Sequence, residues 1–147
     1  MAGRFWLIAA AWMSIAASLL HIACIIGGPD WYRFFGAGEI LAQAAERGSL
    51  VPAIMTLIIA AILAVWALYA FGAVGIGWRP PLARTALCAI AAVLLARAAL
   101  VFVPSLWASE QWPAFAISTS AICGIMGGCF AIGLRQAWPN LSKRKSD

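Results

Sequence analysis

Charge is what this chain has least of. Only 10% of its 147 residues are charged, against roughly a quarter in soluble globular proteins, so a water-soluble domain with one buried core is excluded. Five residues are acidic, Asp30, Glu39, Glu46, Glu110 and Asp147, and all lie in connections or tails. That argues against a proton-coupled transporter, which wants an acid deep in a span. One histidine, His21, falls short of the three or four ligands of a zinc site and of paired axial ligands for haem, so neither a metal nor a cofactor is expected. The four cysteines, Cys24, Cys88, Cys123 and Cys129, include no C-x-x-C pair and read as small apolar packers. Alternation with period two is also missing, which excludes a membrane β-barrel.

What remains is apolar. Hydrophobic residues make up 65% of the chain and mean hydropathy is +0.94. Four runs, about Phe5–Gly27, Leu50–Gly72, Leu82–Val103 and Trp112–Arg135, are each long enough to cross a bilayer as a helix of ~20 residues. The expected class is therefore all-α, a single integral-membrane domain over 1–147 built as a four-helix transmembrane bundle. Gly27-Gly28-Pro29, Gly77-Trp78-Arg79-Pro80-Pro81, Pro104 and Pro113 punctuate it. Gly72, Gly75 and Gly77 follow an apolar helix and not a strand, so they mark a frayed helix end and not a phosphate loop.

The connection Gly28–Ser49 is far longer than an antiparallel turn needs. Asp30 can cap a short helix starting at Trp31, and Glu39, Gln43 and Glu46 recur at helical spacing before Gly48. An interfacial helix is expected there, with Trp31, Tyr32, Phe34 and Phe35 at headgroup depth.

Seven of the ten basic residues, Arg4, Arg79, Arg84, Arg135, Lys143, Arg144 and Lys145, fall on one side of the four runs. The positive-inside rule makes that side cytoplasmic, with both termini and a basic tail over 139–147. Trp6, Tyr69, Trp78 and Trp138 then lie near the inner surface, and Trp31, Trp107 and Trp112 near the outer. The net charge of +5 needs no nucleic acid to explain it. A lipoprotein signal is argued against by His21, which stands three positions before Cys24 where an apolar residue is wanted, so the first helix is expected to be retained.

Ala10, Ser14, Ala17, Ser18 and His21 form a small and polar stripe that should turn toward other helices. Arg97, inside the third run, shares the depth of His21 and needs an acidic partner or a short reach to headgroups. Glu39, after the small residues Gly36-Ala37-Gly38, is the expected partner. Trp31, Tyr32 and Arg33 complete the candidate binding set with His21, Arg97 and Glu39. In the fourth run Ala116, Ser120, Gly124 and Gly128 recur at intervals of four, a small-xxx-small stripe for close helix packing.

The stretch Trp31-Tyr32-Arg33-Phe34-Phe35-Gly36-Ala37-Gly38-Glu39, with the spacing of the four runs, resembles a group of small, uncharacterised bacterial inner-membrane proteins. The resemblance implies a fold and a compartment and carries no activity. The leading expectation is a non-enzymatic membrane protein whose outer cluster binds a lipid, a quinone-like amphipathic molecule or a partner subunit, with a homo-oligomer as a further option. A small oligomeric proton-coupled transporter or channel is the alternative. A lipid-acting enzyme with His21 as base and Arg97 as anion binder comes third.

Overall fold

The computed structural model describes residues 2–103 and 113–141. Trp107, Glu110 and Trp112, and the basic residues Lys143, Arg144 and Lys145, lie outside the described residues. Within them every regular element is helical: α1 (Ala2–Gly27), α2 (Pro29–Phe34), α3 (Glu39–Glu46), α4 (Val51–Ala73), α5 (Ala83–Ala99), a 3-10 turn Leu100–Phe102, and α6 (Pro113–Leu141). The stretches Gly3–Gly27, Val51–Ala73, Ala83–Phe102 and Ala116–Pro139 are long and apolar enough to cross a membrane.

Burial has the sense a bilayer requires. From Val51 to Ala70, α4 buries only a narrow stripe, Pro52, Thr56, Ala60, Leu63, Ala67 and Ala70, at three- and four-residue spacing. Ile54, Met55, Leu57, Ile58, Ile62, Val65 and Leu68 stand outward. So much contiguous apolar surface is incompatible with water and suits hydrocarbon. The protein is an all-α, multi-pass membrane protein.

Contacts group the chain into two compact units, Met1–Ser14 with Trp66–Asp147, and Ile15–Val65. The first has one core drawn from four helices: Leu7, Ala10 and Ala11 of α1, Ala70 of α4, Leu87, Ile90, Ala91 and Leu94 of α5, and Met126, Cys129, Phe130 and Leu134 of α6. α5 and α6 run antiparallel, since Arg84 meets Trp138 at one level and Leu95 meets Gly127 at another.

The expected fourth-helix stripe is only partly the packing face. Ala116 and Ser120 are buried, but a Cβ on Gly124 would meet Ala98 at an ordinary 3.5 Å, and one on Gly128 would meet nothing within 4 Å. The tight positions are Gly127, where a Cβ would stand 3.0 Å from Leu95 and 3.1 Å from Leu94, and Gly133, 2.7 Å from Leu7. Gly133 meets a different helix, α1; on the side facing α5 the reason is the helical period. Each step of four overshoots a turn by about 40°, so three steps carry Gly128 about 120° away from Ala116, while eleven residues bring Gly127 back to within about 20°.

In the second unit the latter half of α1 and the first half of α4 flank α2 and α3. The expected single interfacial helix is two, broken at Gly36 and Gly38. Both glycines have positive φ, 64° and 93°, which costs glycine little and other residues more. The Ser18 hydroxyl donates to the Ala60 carbonyl at 2.8 Å, joining α1 to α4.

Candidate functional site

The α2–α3 hairpin is held by Arg33. Its Nε and Nη2 donate to the two oxygens of Glu39 at 3.0 and 2.9 Å. Its Nη1 sits 2.8 Å from Glu46 and 3.6 Å from Asp30. Gln43 adds a bond to Glu39 at 3.2 Å. The bidentate fork suits a planar guanidinium, which can grip one carboxylate and still reach a second. Hydrogen bonds to Arg33 hold the carboxyls of Glu39 and Glu46 below the usual carboxylate range, and the same bonds push Arg33 up.

These facts correct the expected pair of Arg97 with Glu39. Both oxygens of Glu39 are engaged within its own hairpin. Arg97, in the other unit, donates to the hydroxyls of Ser120 at 3.2 Å and Thr119 at 3.4 Å. Arg33 won because its partners follow six and thirteen residues along one connection, where loop closure costs little. The signal for Arg97 was also present: Ser118-Thr119-Ser120 is a polar run inside an otherwise apolar span, at a depth comparable to that of Arg97.

Behind the charges lies a small apolar cluster. Cys24 of α1, Tyr32 of α2 and Ala42 of α3 are buried together, with Phe35 and Ala45 against them. Trp31 is partly exposed, its ring 5.6 Å from Phe35. Tyr32, expected as an interfacial ring, is instead only 3% exposed. Its hydroxyl has no hydrogen-bond partner among the described residues. An unmet buried hydroxyl costs about 1–3 kcal/mol, which makes it a candidate contact for a bound polar group.

His21 is half-buried, one turn before Cys24 on α1. Its Nδ1 lies 2.7 Å from the Ala17 carbonyl. A carbonyl only accepts, so Nδ1 donates in this contact. Consecutive spans cross in opposite directions. His21, one turn beyond Ser18, therefore comes level with the buried Thr56, one turn before Ala60. The stripe predicted on α1 holds at Ala10, Ser14 and Ser18, all buried.

Chemically, the second unit offers one unmet donor in Tyr32, one imidazole in His21 and a charge set that is nearly self-compensated. No group of three or more metal-ligating side chains occurs among the described residues. Comparison of the chain with protein-family models, with curated proteins and with solved structures finds no match.

Proposed function

We propose that this chain is a bacterial inner-membrane protein, with both termini cytoplasmic, that holds a neutral amphipathic molecule at its outer hairpin and has no catalytic role. The asymmetry of basic residues supports the orientation, and the loop motif Trp31–Glu39 supports the compartment. The observation that carries the ligand reading is the Tyr32 hydroxyl, buried and without a partner.

A phenol donates, so the bound group needs an acceptor, such as a quinone-like carbonyl. The charge set argues for a neutral headgroup. Asp30, Glu39 and Glu46 against Arg33 and Arg47 leave this unit at one net negative charge, and Arg33 is already engaged. An acidic lipid at the hairpin would meet an Arg33 already neutralised by Glu39 and Glu46. Ile26, Phe34 and Ile40, each about four-fifths exposed, supply apolar surface for a tail.

Tyr32→Phe tests the assignment because it keeps the ring and removes only the oxygen. After purification in mild detergent, native mass spectrometry should find a carbonyl-bearing lipophilic ligand on the wild type and lose it in the variant. Stripped of ligand, the variant should be the more stable of the two by about 1 kcal/mol, since an unmet donor has gone. Equal retention by both proteins, or a less stable variant, overturns the reading. A second polypeptide in place of the small molecule would favour the partner-subunit alternative.

A further inference from the structure

We infer that the first unit carries a separate site for one acidic phospholipid, in the groove between α5 and α6. The groove is a shallow, open one of about 720 Å³. Cys88, Ala92 and Leu95 wall it on one side, Ala131 on the other, and it ends at Arg135 and Trp138. Small side chains, Cys88, Ala91 and Ala92 on α5 and Ala131 on α6, leave the space between larger residues at its ends.

Its length and its charge identify the occupant. Its wall on α5 runs from Cys88 to Leu95, seven residues or about 10 Å of helix, which takes the upper part of one acyl chain, and Arg84 lies one turn beyond its basic end. The basic end is where the headgroup would lie. Arg135 is exposed there. Arg84 stacks its guanidinium 4.4 Å from the centroid of the Trp138 ring, donates to the Trp138 carbonyl, and keeps its buried Nε without a partner among the described residues. Arg4 belongs to the same end, since its neighbour Gly3 packs on Gln136. At this end the described residues include Arg4, Arg79, Arg84 and Arg135, and the described part of the unit has no carboxylate. A surface so uncompensated is complementary to a phosphate headgroup.

This site shares no residue with the Tyr32 cluster, and each can fail without the other. To test it, the full chain is placed in nanodiscs of phosphatidylglycerol and phosphatidylcholine in equal amounts, and retained lipid is weighed by native mass spectrometry. The wild type should keep phosphatidylglycerol well above its share. Arg135→Gln should cut that preference about fivefold, the worth of one charge near the surface. Ala92→Phe, which fills the exposed wall of the groove, should release the retained lipid. Parity of the two lipids in the wild type, an unchanged preference in Arg135→Gln, or displacement of the lipid by soluble glycerol phosphate would each overturn the assignment. If Ala92→Phe fails to fold, Arg135→Gln alone decides.

Discussion

Four glycines on one helix test whether close packing of α6 is placed correctly. Each is replaced by alanine, so that only a Cβ is added. At Gly133 the new atom would stand 2.7 Å from Leu7 Cγ and 3.0 Å from the Leu7 backbone nitrogen. A side-chain tip can swing away, but a backbone atom cannot, so α1 itself must yield. Overpacking of that kind costs about 1–3 kcal/mol, offset by roughly 0.5–1 kcal/mol from placing alanine instead of glycine in a helix. At Gly127 the flexible end of Leu95 can move, but Leu94 Cβ at 3.1 Å is part of the stiff wall. A smaller net loss of about 1 kcal/mol is expected there. Gly124 has an ordinary contact and Gly128 none, so both changes should be neutral or stabilising by a few tenths to about 1 kcal/mol. The expected order of stability is Gly128→Ala and Gly124→Ala above wild type, then Gly127→Ala, then Gly133→Ala. Between the extremes lie about 2–3 kcal/mol, well within reach of reversible unfolding followed by circular dichroism in mixed micelles. If Gly128→Ala proved as damaging as Gly133→Ala, the four-residue stripe would be the contact face after all and the rotation argued above would be wrong.

Two further outcomes follow from the hairpin and from the distribution of charge. Because Arg33 lowers the folded-state pKa of Glu39 and Glu46, their stabilisation is complete above the unfolded carboxylate value of about 4.3. It is lost as pH falls through their lower folded values. Amide exchange across Glu39–Glu46 should thus speed up below about pH 4 beyond its intrinsic pH dependence, and Arg33→Met should show fast exchange at every pH; a wild-type rate that tracks only the intrinsic dependence would count against the network. Reporter fusions after Gly77 and at the carboxyl terminus should both report cytoplasm, and an exported terminus would reverse the orientation proposed here.

How much could be read from the residues differs from helix to helix. The four spans, the all-helical class and a structured Gly28–Ser49 connection follow from local properties. Transfer of twenty apolar residues into hydrocarbon, the demand that every backbone group be satisfied inside a helix, and glycine at positive φ are all decided within a short stretch of chain. Partner choice is not of that kind. That Glu39 belongs to Arg33 depended on how α2 folds back on α3, and that Arg97 belongs to Ser120 and Thr119 depended on which face α6 turns to α5. Tyr32 read as an amphipathic belt residue until the hairpin closed over it and left its hydroxyl buried. The tight glycines on α6 likewise emerged only from packing, because a spacing of four drifts around a helix of 3.6 residues per turn while a neighbouring helix stays where it is. Residue types along one segment determine whether it crosses the membrane; which side chains meet is set by rotation and depth of whole helices, and those are fixed only when all the segments pack together.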